Sequence, residues 1–108
     1  SNAGVWAVDV KTEGEYTVEL RRWPKESGAA ITASLVAGAN VPGVKPFRAV
    51  QAYLKLAGKE LIQPIKSNDR SVLFRLRLKP GRDELWAKFI DADGIPMGAF
   101  YAYVSKVR

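Results

Sequence analysis

Cysteine and histidine are both missing from the 108 residues of this chain. Without cysteine there is no disulfide staple, thiolate metal site or cysteine nucleophile. Without histidine the commonest metal ligand and general base are gone. The lack of cysteine leaves the redox compartment undecided. No apolar run approaches the roughly 20 residues that a membrane-spanning helix needs. Walker-type and Rossmann glycine loops are missing as well, which removes the usual nucleotide-cofactor signatures. Ser27 and Ser34 have no histidine to activate them, and no carboxylate pair has a cleft context for acid/base work. These gaps make a free-standing hydrolase a poor fit and leave structural or binding roles.

What is present describes a globular chain. Apolar residues make up 47% and charged residues 26%, a balance that suits one folded domain of this length. Ser1-Asn2-Ala3 reads as the remnant of a cleaved expression tag, leaving 4–108 as a single domain. Seventeen Lys and Arg against eleven Asp and Glu give a net charge of +6. That charge favours anionic partners, and it is also of the size that simply keeps a small domain soluble, roughly 2–8.

Two-residue periodicity runs through most of the chain. Trp6, Val8 and Val10 alternate with Ala7 and Asp9, and Tyr16, Val18 and Leu20 alternate with Thr17, Glu19 and Arg21. The turn residues between them suggest an antiparallel pair. Ile31 to Val36 fits a strand or a helical turn, and Gly38 to Pro46 reads as an irregular connection. Val50, Ala52, Leu54 and Leu56 form the next apolar face, opposite Gln51, Tyr53 and Lys55. Gly58-Lys59 turns into Leu61–Gln63, which Pro64 confines to an edge or bulge. After a turn at Ser67–Arg70, Val72, Phe74, Leu76 and Leu78 alternate with Arg75, Arg77 and Lys79. Pro80–Asp83 reads as a turn, then Leu85, Ala87 and Phe89 oppose Trp86, Lys88 and Ile90. A hairpin turn at Asp91–Gly94 leads to a last strand, Gly98 to Val104, with Phe100, Ala102 and Val104 on one face. Seven or eight short strands without helical crossovers predict an all-β, two-layer antiparallel β-sandwich. Its core should close over Trp6, Leu20, Leu54, Leu76 and Phe89.

Three clusters could carry chemistry. Asp91 and Asp93 could contribute to a calcium site, but Ile95, Pro96 and Met97 add no side-chain oxygens and calcium wants six to eight. An Asp-to-backbone turn is the simpler reading. Arg21, Arg22, Trp23 and Lys25 form the densest basic-aromatic group, able to stack on a ring and fork onto an anion, or to pack along the sandwich edge. Tyr101, Tyr103 and Trp86 could form a carbohydrate platform or an interdomain contact. The Arg75–Lys79 face lacks the interleaved aromatic platforms of nucleic-acid modules, so no nucleic acid and no membrane is expected as partner.

A resemblance sharpens this. The run Leu20-Arg21-Arg22-Trp23-Pro24-Lys25-Glu26 follows Gly14-Glu15-Tyr16 and an opening Trp6-Ala7-Val8. Ala52-Tyr53-Leu54-Lys55-Leu56-Ala57-Gly58, Phe89-Ile90-Asp91-Ala92-Asp93-Gly94 and the closing Gly98-Ala99-Phe100-Tyr101-Ala102-Tyr103-Val104 come after it. In this order the segments resemble the C-terminal accessory domain of bacterial sulfatases of the arylsulfatase type, with Phe100 where a tyrosine is usual. In such enzymes a formylglycine and a calcium-like metal act in a larger N-terminal domain, and none of that motif is present here. The resemblance implies a non-catalytic domain without its own cofactor, docked on a catalytic sulfatase domain of the same parent chain. It also implies a periplasmic or extracellular parent that acts on sulfated glycans or aryl sulfates. The alternative is a carbohydrate-binding module for glycans, sulfated or neutral.

Overall fold

The computed structural model describes residues 4–23, 25–31, 48–98 and 101–107. Among them the strands are β1 (Gly4–Val10), β2 (Gly14–Arg21), β3 (Ala49–Leu56), β4 (Lys59–Pro64), β5 (Val72–Leu78), β6 (Gly81–Asp91), β7 (Pro96–Gly98) and β8 (Tyr101–Lys106). They form two antiparallel sheets in a sandwich-like arrangement. One runs β1-β6-β3-β4 with β7 beside β6, and the other runs β5-β2-β8. Because β3 occupies one side of β6, β7 continues the edge that β1 begins.

Alternation places the core. In β5 the residues from Val72 to Leu78 are buried and exposed in strict turn, so that Val72, Phe74, Leu76 and Leu78 point inward. Val18 and Leu20 join them from β2, facing Ala52, Leu54 and Leu56 of β3 and Leu85, Ala87 and Phe89 of β6 within a single apolar cluster. Each fully buried Val, Leu or Phe contributes about 1.5–3 kcal/mol of transfer free energy, which largely offsets the entropy of ordering the strands. Trp6 is only half-buried and packs against this cluster rather than inside it.

Several expectations need correction. β1 and β2 are not a hairpin. β1 pairs with β6, whereas β2 pairs with β5 and β8, so Lys11–Glu13 arches from one sheet to the other. Both connections leave the same residues facing inward, and periodicity cannot tell them apart. Val50 is 38% exposed and Ala49 is buried in its place. The β3–β6 register slips between Ala49 and Gln51, and the extra residue of this bulge reverses the parity. Pro80–Asp83 is not a turn: Gly81, Arg82 and Asp83 already lie in the ladder opposite Val10, Asp9 and Val8. The closing strand is two strands, β7 in the first sheet and β8 in the second. Val104, expected to face inward, is exposed on the edge strand β8. Phe100, Pro24, and the segment expected to run on from Ile31 through Pro46 lie outside the described residues, apart from Ile31 itself, which is buried in a turn.

The edges and turns are held by local chemistry. β4 is the outer strand of its sheet, where Pro64 needs no ladder donor beyond Gln51. β5 is likewise an edge. Gln63 Nε2 donates to the Leu73 carbonyl at 2.8 Å, and Lys59 Nζ donates to the Arg77 carbonyl at 2.8 Å. These side chains from β4 cover carbonyls that β5 would otherwise offer to a passing strand. The β3–β4 hairpin turns at Ala57 and Gly58, with φ of 53° and 74°. Positive φ at both central residues is the type I′ signature that suits hairpin twist; at Ala57 it costs about 1 kcal/mol that glycine would avoid.

Candidate functional site

The basic-aromatic group assembles around Glu19, on the outer face of the three-stranded sheet. Inward Val18 and Leu20 force Glu19 and Arg21 to point outward, and β8 brings Tyr103 opposite Glu19 and Tyr101 opposite Arg21. Arg21 pairs with the carboxylate: Nη2 donates to Oε2 at 3.4 Å, while Nε lies 3.3 Å from Oε1 without a hydrogen bond. β2 ends at Arg21, and the 3-10 turn Lys25–Ser27 carries Lys25 back over the sheet. Lys25 Nζ lies 3.4 Å from Glu19 Oε1 and 4.6 Å from the centre of the Tyr103 ring. Its backbone N–H donates to the Tyr103 hydroxyl at 3.5 Å. Arg22 stacks on Trp23, 5.1 Å from the ring centre, and donates from Nη1 to the Ile31 carbonyl at 3.3 Å. Burial lowers the Arg22 pKa from its ordinary value. Together these contacts make a fixed ridge in which Arg21 and Lys25 already have a carboxylate partner.

Glu19 ties the ridge together. Burial pushes its carboxyl pKa up, but hydrogen bonds from Arg21, Ser71 and Lys25 and the charge of Arg21 outweigh that and hold it below the usual carboxylate range. A carboxyl depressed in the folded state stabilises the fold above its unfolded pKa, and that contribution is lost as the pH falls through the folded one. Glu19→Gln is expected to lower stability by about 1 kcal/mol near neutral pH, the scale of a charged hydrogen-bond network that is partly open to solvent. The gap between variant and parent should close in acid. Urea unfolding at a series of pH values measures it, and a gap that stays constant into acid would contradict the role given to Glu19.

The neighbouring basic strand face is also internally paired. Arg75 pairs with Glu15 and Arg77 with Glu13, both carboxylates coming from the β2 side. At the other end of the molecule Asp91 is committed to its turn. Its Oδ1 accepts from the N–H groups of Asp93 and Ile95, each at 2.9 Å, while Gly94, with φ of 79°, closes back onto the Asp91 carbonyl. Asp93 supplies its backbone to this turn, and no group of three or more acidic side chains suited to a metal occurs among the described residues.

The structure does not bring Trp86 to Tyr101 and Tyr103. Trp86 stands on the outer face of the five-stranded sheet, with the core between it and the two tyrosines of β8. Its neighbours are instead Lys55 directly across the β3–β6 ladder, and Tyr53 and Lys88 in the next rung. Tyr53, Lys55 and Lys88 were not singled out by sequence reasoning. Their outward parity is legible, but the pairing that gathers them is not. No model of a known protein family matches this chain, and searches of curated proteins and of solved structures also return no match.

Proposed function

We propose that the chain is a non-catalytic accessory domain of a sulfatase-like hydrolase, docked on its catalytic domain through Arg21, Arg22, Trp23, Lys25, Tyr101 and Tyr103. The resemblance spanning Trp6 to Val104 supports the parentage. The single observation that carries the docking role is the fixed ridge. Tryptophan, tyrosine and arginine are the residue types that dominate binding energy at interfaces, and here they are held by Glu19, by one another and by the Ile31 carbonyl before any partner arrives. Side chains already fixed lose little further rotamer freedom on association. On this reading the sulfate chemistry, its formylglycine and its metal belong to the parent's catalytic domain, and the parent works in the periplasm or outside the cell.

The test has two parts. The full reading frame should contain an upstream Cys/Ser-x-Pro/Ala-x-Arg motif. In the protein it encodes, amide exchange across 19–25 and 101–103 should be slower than in this domain alone. An upstream region without that motif, or a ridge that exchanges equally fast in both, would overturn the proposal.

A further inference from the structure

The outer face of the five-stranded sheet carries a second group that the docking ridge does not use. Across the β3–β6 ladder Lys55 faces Trp86 and Tyr53 faces Lys88. All four point away from the core, because Ala52, Leu54, Ala87 and Phe89 between them point into it. The result is a square with the two aromatic rings on one diagonal and the two lysines on the other. Around it lies a shallow depression of about 330 Å³, lined by Tyr53, Lys55, Trp86, Ala87 and Lys88. That volume is at the small end of ligand sites and suits a short segment lying on the surface.

The rings and cations are arranged for use. Trp86 is 40% exposed, although it is large and apolar. The Tyr53 hydroxyl donates to Glu60 Oε1 at 3.0 Å, which orients its ring; partial burial and then Glu60 raise its pKa. Lys88 Nζ is held 5.0 Å from the centre of the Tyr53 ring. Arg21, Lys25, Arg75 and Arg77 each have a carboxylate within 4 Å, whereas among the described residues neither Lys55 nor Lys88 does. Glu60, opposite Lys55 on β4, is the one carboxylate beside the square and is engaged by the Tyr53 hydroxyl, so neither ammonium group forms an ion pair among the described residues.

We propose that this square binds a saccharide bearing sulfate or carboxylate groups. The apolar face of a pyranose ring stacks on Trp86 or Tyr53, and Lys55 and Lys88 make charge-assisted hydrogen bonds to the anionic substituent. A neutral sugar would need only the rings. A nucleic-acid strand would need cations that continue along its backbone. Here the rungs beyond the square offer Glu84 on one side and Ile90, Gln51 and Pro64 on the other, and its flanks carry Glu60 and Ile62 of β4 and Val5 of β1. Two cations confined to one spot fit a single anionic ring better than a polyanion track. This inference does not depend on the docking proposal, since the two surfaces are on opposite faces of the sandwich.

The domain can be titrated while its amide spectrum is followed, with four probes in parallel. These are a chondroitin sulfate tetrasaccharide, an oligogalacturonate, a neutral cello-oligosaccharide and an oligo-dT strand. The sulfated or the uronate sugar should give saturable shifts centred on Tyr53, Lys55, Trp86 and Lys88, with at least about tenfold tighter binding than the neutral sugar. Trp86→Ala should weaken that binding about tenfold or more. The double variant Lys55→Gln with Lys88→Gln should bring anionic and neutral sugars to equal affinity. Unchanged thermal unfolding of the variants shows that the fold is intact. The proposal is overturned if no sugar produces saturable shifts there or if the neutral sugar binds equally well. Tightest binding of oligo-dT at the square, or shifts there that track protein concentration alone, would overturn it too, pointing to nucleic acid or to a second copy of the chain.

Discussion

Phe89→Ala is expected to destabilise the domain by about 3–5 kcal/mol, the usual cost of removing a fully buried aromatic ring. Phe89 has no exposed surface and sits in the central strand of its sheet, opposite Ala52. Ala52 is too small to fill the vacated space, whereas Met97, opposite Phe89 on β7 and only partly buried, can move partway into it, so the cost should fall near the middle of that range. Domains of this kind have about 5–15 kcal/mol of stability in total, so Phe89→Asp, which also buries an unpaired charge, should prevent folding. Trp86→Ala, in the same strand on the opposite face, should cost about 1 kcal/mol or less. Urea midpoints at constant slope give both numbers. Equal effects at the two positions would mean that the faces of β6 are assigned the wrong way round.

Leu20→Ala is expected to cost about 2–5 kcal/mol, from the other layer. Leu20 is fully buried between Val72 of β5 and Ala102 of β8. Its natural control is Leu73→Ala in the same sheet. Leu73 is 54% exposed, and its loss should change stability by no more than about 0.5 kcal/mol. The pair reports on packing between the sheets rather than on leucine as such. If Leu20→Ala cost as little as Leu73→Ala, the three-stranded sheet would not be closing over the shared core.

Burial within each strand was legible in the sequence, because the face a residue takes is set by its own neighbours at i±2. β1, β5 and β6 therefore read correctly from Trp6 to Val10, Val72 to Leu78 and Leu85 to Ile90. Pairing between strands depends on partners far away in the chain. Lys11–Glu13 looked like a hairpin and is an arch; the bulge at Val50 shifted the parity of β3 by one residue and left no mark in composition. The basic-aromatic part of the ridge was legible, whereas Glu19 was not singled out and Tyr101 and Tyr103 join it only through the β2–β8 pairing. Arg21 to Lys25 are adjacent in the chain, so their grouping needed no knowledge of topology. The square of Tyr53, Lys55, Trp86 and Lys88 takes two residues from each of two strands, and only the β3–β6 register brings them together. Trp86 was picked out from the sequence but given the wrong companions, because β7 and β8 divide between the sheets.

Both proposed surfaces require that β6 lie between β1 and β3, while β2 lies between β5 and β8. Cross-strand proton contacts in solution read this directly. The predicted spectrum links Val5 to Trp86, Tyr53 to Lys88, and Glu19 to both Leu73 and Tyr103. A continuous set of contacts joining Val5–Val10 to Tyr16–Arg21 would contradict it, placing the aromatic groups on one sheet instead of two.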